Sequence, residues 1–206
     1  MDASGCVWLV TGNMLENLSD YKIVLGSNSP RRKELLSGLD IPYKVITLPD
    51  IDESYPDNLW KEEIPVYIAR IKAEAYQTMM DDDTFLITAD TIVWLNGQVY
   101  GKPKDEADAK AMLYALCGQT HEVITGVCLT TREKQQCFYA VSSVKFAVLD
   151  ENEIEYYVRK YMPYDKAGAY GVQEWIGYIG VESLTGSFYN VMGLPVRLLY
   201  KQLKEW

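Results

Sequence analysis

The segment KIVLGSNSPRRKELL, residues 22–36, predicts a strand, a polar loop and a helix near the start of the chain. Its apolar run Ile23–Leu25 is typical of a strand, and the small polar residues that follow break that strand. Ser29 suits a helix N-cap, Pro30 suits the first helical position, and the remaining residues continue as a helix. A strand that leads through a polar loop into a helix N-terminus can bind an anion. The free backbone N–H groups and the positive end of the helix dipole point into the loop.

Two arginines, Arg31 and Arg32, occupy the first turn of this predicted helix. Positive charge is unfavourable there because the N-terminal end of a helix dipole is itself positive. A phosphate bound between the two side chains would offset that cost. The alternative is that both arginines lie on a solvated surface.

Length and charge limit the classes of protein to consider. The chain has 206 residues, of which 48% are hydrophobic and 24% are charged, as expected for one large or two small globular domains. Its net charge of −9 argues against a duplex nucleic acid partner. No apolar run reaches the length of a membrane span. The four cysteines form no C-x-x-C pair, so we interpret them as reduced thiols and expect a cytoplasmic protein.

Strands and helices alternate along the rest of the chain, which predicts an α/β fold. Further strands are predicted at 42–47, 85–89, 119–131, 136–149 and 176–181, and further helices at 62–80, 105–116, 150–160 and 196–203. A glycine-punctuated loop is predicted at 186–195. No repeat or linker interrupts this pattern, so we expect one domain over residues 21–206. Residues 1–20 are expected to form a poorly ordered N-terminal extension.

The most informative single carboxylate is Asp90. The nearly continuous apolar run Phe85–Ala89 predicts a buried central strand, which leads directly into Asp90 and Thr91. A carboxylate at the end of a buried strand is unfavourable unless it is paired, hydrogen-bonded or bound to a metal. A hairpin at Asn96-Gly97 then returns the chain towards Lys102, near the mouth of the same sheet.

Two other segments carry charged side chains that suit a ligand site. The loop at 48–57 contains Asp52 and Glu53, and such carboxylates either hold a hard cation or are simply solvated. The glycine-rich segment 163–173 places Asp165 and Lys166 together, which indicates either a tight loop or a ligand clamp. The ordinary interpretation of Lys72, within the predicted helix 62–80, is a surface lysine.

Six motifs in order resemble the Maf family of nucleoside triphosphate pyrophosphatases along nearly the whole chain, from about Tyr21 onwards. They are S-N-S-P-R-R at 27–32, A-D-T at 89–91, G-K-P at 101–103, G-Q-T-H at 118–121, D-K-A-G-A-Y-G-V-Q at 165–173 and G-L-P at 193–195. The resemblance implies an α/β fold like that of the inosine-triphosphate pyrophosphatases. In that fold an elongated mixed β-sheet with flanking helices forms two lobes around a nucleotide cleft.

The resemblance also implies a reaction and a set of site residues. The reaction is hydrolysis of a nucleoside triphosphate to the monophosphate and pyrophosphate, with Mg²⁺ or Mn²⁺ as the cofactor. Asp90 matches the family's proton acceptor, and Lys72 and Lys102 match family lysines. A family glutamate matches Asp52 or Glu53, so the cation is expected on Asp90 with one of these two. Ser29, Arg31, Arg32 and Lys166 are expected to contact the triphosphate.

Three positions distinguish substrate subgroups in that family, and here they are Arg31, Thr91 and Gln173. Thr and Gln look like the subgroup that acts on dTTP and UTP. Glu174-Trp175 departs from the glycine that more often follows this glutamine, which bears on the substrate assignment. Two alternatives stay open: the same reaction on modified purine triphosphates, and a nucleotide-binding regulator of cell division with little turnover. A homodimer is a further expectation.

Overall fold

Strand β3 is the central element of the fold. The computed structural model describes residues 14–206 and contains a seven-stranded mixed sheet. The strands are β1 (Lys22–Gly26), β2 (Lys44–Ile46), β3 (Thr84–Leu95), β4 (Gln98–Tyr100), β5 (Thr120–Thr130), β6 (Gln135–Phe146) and β7 (Val181–Thr185). The helices are α1 (Pro30–Ser37), α2 (Glu63–Tyr76), α3 (Glu106–Leu116), α4 (Glu151–Tyr161), α5 (Trp175–Gly180), α6 (Phe188–Met192) and α7 (Val196–Lys204). The predicted α/β class with a mixed sheet and flanking helices is confirmed.

The sheet has a gap beside the middle of β3. On one edge, β3 pairs in parallel with β1 over Thr84–Ile87 and antiparallel with β4 over Val93–Leu95. Within residues 14–206, the residues between these two stretches have no strand partner on that edge, because β1 has already ended and turned into α1. On the other edge, β5 pairs with β3 without interruption from Leu86 to Trp94. The gap therefore leaves the backbone of residues 88–92 without strand pairing on one side only.

Alternation along β3 sends neighbouring side chains to opposite faces of the sheet. Phe85, Ile87 and Ala89 join the main core, whereas Leu86 joins a smaller core beneath α2. Since side chains alternate with a period of two, Asp90 faces α2 and Thr91 faces the opposite side. The expectation that Asp90 stands at the end of the strand is wrong. It lies in the middle of β3, beside the gap.

Helix α2 lies directly on β5 opposite Asp90. Gly126 is the cross-strand partner of Asp90, and a Cβ atom added at Gly126 would lie 2.4 Å from the backbone of Pro65 in α2. Only glycine permits this approach. It brings Lys72 of α2 over β3, and Lys72 is only 8% exposed. The interpretation of Lys72 as a surface lysine is therefore wrong.

Two other local predictions need correction. The predicted strand at 176–181 is mostly helix α5, and β7 begins only at Val181. The backbone of α5 packs so closely on the preceding loop that a Cβ atom at Gly177 would lie 1.8 Å from the carbonyl oxygen of Val172. The predicted loop at 186–195 contains the short helix α6.

The predicted extension at residues 1–20 falls largely outside the described residues. Residues 14–20 are described, and they contain a 3₁₀ turn at Glu16–Leu18. Leu15 and Leu18 are buried in the main core, and the Asn17 side chain donates a hydrogen bond to the Leu203 carbonyl. These residues therefore pack as part of the domain, since they bury apolar side chains against it.

Candidate active site

A cleft of about 410 Å³ opens at the gap in the sheet. This volume is typical of a site for a small molecule. Ten of the eleven predicted site residues line it: Ser29, Arg31, Arg32, Glu53, Lys72, Asp90, Thr91, Lys102, Lys166 and Gln173. Asp52 does not. Its carboxylate is solvent-exposed and accepts a hydrogen bond from the Ser54 backbone N–H at 2.9 Å, which lowers the pKa of Asp52.

Three side chains form the cleft floor: Lys72, Asp90 and Glu53. The Lys72 Nζ atom lies 2.7 Å from Asp90 Oδ1 and 3.1 Å from Glu53 Oε1. The Lys72 and Asp90 side chains are only 11% and 12% exposed. The positive charge of a neighbouring lysine compensates for the water contacts that a carboxylate loses on burial. The sequence predicted that Asp90 needs a partner, and Lys72 is that partner.

The start of α1 forms one wall, as the opening segment predicts. The Ser29 hydroxyl accepts a hydrogen bond from the Arg32 backbone N–H at 3.4 Å, and Ser27 Oγ accepts one from the Ser29 N–H. Arg31 points across the cleft to Asp165, with 2.7 Å between Nη1 and Oδ2. The positive charge in this first turn is therefore balanced by a carboxylate from another loop.

Arg32 fills the gap beside β3. Its guanidinium donates from Nη1 to the Ala89 carbonyl at 2.8 Å and from Nη2 to Thr91 Oγ1 at 3.0 Å. A third bond runs from Nε to the Gly193 carbonyl at 2.9 Å. Burial lowers the pKa of Arg32, although the nearby charge of Asp90 opposes that shift. Arg32 thus donates a hydrogen bond to the Ala89 carbonyl, in the place where a neighbouring strand would otherwise donate one. It also holds the Thr91 hydroxyl in position.

Arg31, Asp165 and Lys166 line the cleft, and together with Glu174, which pairs with Lys166, they form the group that we call the cleft mouth. Lys166 Nζ lies 2.7 Å from Asp165 Oδ1 and 3.1 Å from Glu174 Oε1. Burial raises the pKa of Asp165, but hydrogen bonds from Lys166 and Arg31 outweigh burial and hold this pKa at about 2. A continuous chain of alternating charges therefore joins α1 to the glycine-rich loop.

Tyr157 anchors this chain from α4. Its hydroxyl donates to Glu174 Oε2 and accepts a hydrogen bond from the Gly171 backbone N–H at 3.0 Å. Sequence reasoning did not find the roles of Tyr157 and Glu174. The departure at Glu174 from the family's usual glycine was the only signal for them.

Gln173 and Lys102 present polar atoms that the described residues leave free. The Gln173 Oε1 atom is buried and has no hydrogen-bond partner within residues 14–206. A buried polar atom without a partner is unfavourable, so this amide is suited to bond a ligand. Lys102 is exposed at the cleft and makes no ion pair with any described side chain.

The only histidine has a structural position behind the cleft. His121 Nε2 lies 2.8 Å from the Tyr170 hydroxyl, and Tyr170 lines the cleft. Burial lowers the pKa of His121 to about 4, so the ring is neutral at neutral pH. The G-Q-T-H motif at 118–121 gave no sign of this contact with Tyr170.

The cleft is locally more positive than the rest of the protein. Its lining has five cationic side chains, Arg31, Arg32, Lys72, Lys102 and Lys166, against four carboxylates, Asp50, Glu53, Asp90 and Asp165. The whole chain carries a net charge of −9. The cleft therefore suits a polyanionic ligand, either alone or bound together with a cation. Positive groups in a cleft that is partly shielded from water attract negative charge strongly.

Comparisons with a family model and with individual known proteins agree on one family. The model of the family described as Maf-like protein matches residues 22–206. A protein of Bacteroides fragilis named dTTP/UTP pyrophosphatase is 64% identical over 192 residues, covering 93% of this chain and 100% of that protein. A protein of Christiangramia forsetii with the same name is 44% identical over 190 residues, covering 92% and 96%.

A solved structure supports the fold. A HAM1 protein from Coxiella burnetii matches with a TM-score of 0.50 and 20% sequence identity, covering 90% of this chain and 100% of that one. At this identity the similarity concerns the fold alone. Within residues 14–206, each helix is too short or too polar to cross a membrane.

Proposed function

We propose that this chain, which belongs to the Maf-like family, hydrolyses dTTP and UTP to the nucleoside monophosphate and pyrophosphate. The observation that carries the proposal is the buried Lys72–Asp90 pair at the floor of a cation-lined cleft. Relatives named for this activity match over almost their whole length, and the choice of dTTP and UTP as substrates rests on their names.

Asp90 is proposed to accept the proton from the attacking water. Attack of this water at the α-phosphorus breaks the anhydride bond between the α- and β-phosphates, and pyrophosphate leaves. General bases of this kind contribute rate because they take the proton as the nucleophile attacks. Lys72 holds the Asp90 carboxylate at 2.7 Å, so it orients the base as well as adding positive charge at the floor.

The residues of the cleft floor fit a divalent cation such as Mg²⁺ or Mn²⁺. No group of three or more candidate ligand side chains occurs in residues 14–206, but the Asp90 and Glu53 carboxylates are neighbours, since both lie within 3.1 Å of Lys72 Nζ. Mg²⁺ commonly uses only one or two carboxylates together with substrate phosphates. When bound, the cation neutralises phosphate charge and activates water. Glu53 is favoured over Asp52 because only Glu53 lines the cleft.

The remaining cations are proposed to bind the triphosphate. Arg31, Lys102 and Lys166 line the cleft, and Ser29 adds a hydroxyl at the start of α1. Charge builds on the phosphate oxygens in the transition state, so donors held around them lower the barrier. Arg32 acts through position instead, because it bonds Ala89, Thr91 and Gly193.

Gln173 is proposed to recognise the pyrimidine base through hydrogen bonds. Its amide can both donate and accept, which matches the mixed edge of thymine or uracil, whereas a carboxylate only accepts. Thr91 supports the site from β3, since its hydroxyl is shared between Arg32 and Thr125 at 3.0 Å each. We further propose that the protein acts in the cytoplasm.

The test is pyrophosphate release from a panel of nucleoside triphosphates with Mg²⁺ or Mn²⁺. Preferential release from dTTP and UTP is the expected result. Release mainly from modified purine triphosphates would overturn the pyrimidine assignment and keep the reaction. Binding of nucleotides without release would indicate a regulatory protein.

A further inference from the structure

Two cysteines that do not line the cleft face each other on neighbouring strands of the sheet. Cys128 of β5 and Cys137 of β6 are direct cross-strand partners, and their Sγ atoms are 3.0 Å apart. Directly opposed residues in an antiparallel pair place their side chains on the same face with Cβ atoms close together. The sequence shows no C-x-x-C motif, so only the strand register brings these thiols together.

The two thiols have different surroundings. Cys128 is fully buried in the smaller core with Ala69 and Ala73 of α2, whereas Cys137 is partly exposed. The hydrogen bond with Cys128 and the positive charge of Arg70 lower the pKa of Cys137. The same hydrogen bond and burial raise the pKa of Cys128. One accessible, more acidic thiol therefore lies against one buried thiol, which is the arrangement of an attacking and a resolving cysteine.

We propose that Cys128 and Cys137 form an oxidation site at which hydrogen peroxide converts the two thiols into a cross-strand disulfide. The site is separate from the cleft, because neither cysteine lines it. It nevertheless lies close to the cleft floor along the sheet. Cys128 pairs with Thr88 of β3, two residues before Asp90, and the Thr88 hydroxyl donates to the Ala69 carbonyl of α2.

The reaction proceeds in two steps that balance. The Cys137 thiolate attacks one peroxide oxygen, the O–O bond breaks, and a sulfenic acid and one water form after protonation. The Cys128 sulfur then attacks the sulfenic sulfur, forming the S–S bond and releasing the second water. In total, two thiols lose two hydrogen atoms and one peroxide is reduced to two waters. The sulfurs need to approach by only about 1 Å from their present contact to reach the bond length of about 2.05 Å.

Peptide mapping tests this inference in the full chain. The folded protein is treated with hydrogen peroxide, denatured, alkylated at its free thiols and digested with trypsin without reduction. Cleavage after Arg132 and Lys134 separates the two cysteines into peptides 111–132 and 135–145. The expected product is these two peptides joined, two hydrogens lighter than their sum, and separated again by dithiothreitol.

Peptide 111–132 also contains Cys117, so variants identify the bond. Cys117→Ser should keep the joined product. Cys137→Ser should lose it and leave Cys128 alkylated. Three results would overturn the inference: joined peptides that disappear in Cys117→Ser, sulfinic acid at Cys137 without a link, or full alkylation of all four cysteines after peroxide treatment.

Discussion

The cleft floor and the cleft mouth are both networks of opposite charges, but the fold supports them differently. Lys72 and Asp90 of the floor stand on α2 and on the central strand β3, and both elements are fixed by buried apolar packing. In the mouth, Asp165 and Lys166 come from the glycine-rich loop. The Lys72 and Asp90 side chains are 11% and 12% exposed. In the mouth, the Lys166 side chain is equally buried, at 9% exposed, but its partner Asp165 is 53% exposed, so only the carboxylate of this pair differs in exposure from the Lys72–Asp90 pair of the floor.

This difference indicates a division of labour. Chemistry needs a base and its partner held to within a fraction of an ångström, which regular elements in a core provide. Recognition of a triphosphate tolerates adjustment, and loops at the rim of a rigid scaffold provide that. We therefore expect changes in the floor to abolish turnover or destabilise the fold. Changes in the mouth should alter substrate binding by smaller factors.

The largest effect is expected from Asp90→Asn. The amide is nearly isosteric and can still accept a hydrogen bond from Lys72, but it cannot take a proton from water. Turnover should fall by about 10³-fold or more, which is within the range for loss of a general base together with a cation ligand. Pyrophosphate release at saturating UTP measures it. The unfolding midpoint in urea serves as the control and should change little. Near-normal turnover in a folded variant would remove Asp90 from the proposed role.

The second effect is on stability, from Lys72→Met. This change leaves the Asp90 and Glu53 carboxylates facing each other without a cation, and Asp90 is nearly buried. Removing one partner of a buried pair typically costs about 3 kcal/mol of unfolding free energy. Urea unfolding with the Mg²⁺ removed by a chelator measures the change.

Lys22→Met is the matched control for Lys72→Met. Lys22 pairs with Asp83 at 2.7 Å, the same Nζ–O distance as in the floor, but its side chain is 60% exposed. Exposed pairs contribute little, so stability should hardly change. Equal destabilisation by the two substitutions would show that burial does not distinguish the floor from an ordinary surface pair.

The third effect concerns specificity, from Gln173→Glu. A carboxylate cannot donate to a pyrimidine carbonyl, and it places a negative charge beside the base. We expect kcat/KM for UTP to fall by about tenfold to a hundredfold, the usual cost of an unmet hydrogen bond in a dry site. Gln173→Met, which removes both functions without adding charge, is the comparison. If both variants retain wild-type kcat/KM for UTP, Gln173 does not contact the base.

The floor and the mouth were also not equally predictable from the sequence. Local signals predicted β1, the Ser29 cap and the hairpin at Asn96-Gly97, because each depends on neighbours in the chain. They also identified Asp90 as a carboxylate in need of a partner. The partner Lys72 was read as a surface residue, since its burial depends on how closely α2 approaches Gly126.

Long-range geometry explains the other misses. A strand gap is set by where β1 ends relative to β4, so Asp90 could be placed on β3 but not beside the gap. The segment 176–181 has strand-like composition, yet it folds as α5 because Gly177 packs on the Val172 backbone. The Tyr157–Glu174 contact joins α4 to the glycine-rich loop, and no local pattern encodes it.

The smallest effect is expected in the mouth, from Asp165→Asn. This change removes a negative charge from a cleft that receives a triphosphate, and it frees Arg31 and Lys166 for phosphate oxygens. KM for UTP should fall by about twofold to fivefold, since a partly exposed ion pair contributes on the order of 1 kcal/mol or less. Asp82→Asn is the control: Asp82 pairs with Arg132 at 2.6 Å, has a side chain that is 86% exposed and does not line the cleft.

The pH dependence of this small difference tests its cause. The pKa of Asp165 is about 2, below the ordinary value of 3.8, so the carboxylate stays charged wherever the enzyme is assayed. A lowered folded-state pKa means that the pair stabilises the fold above about pH 4 and loses that contribution as pH falls through about 2. The ratio of KM values between wild type and Asp165→Asn should therefore be constant from pH 5 to 9. A ratio that approaches one between pH 6 and 5 would show that Asp165 takes up a proton there, and that Arg31 and Lys166 do not hold it as the structure indicates.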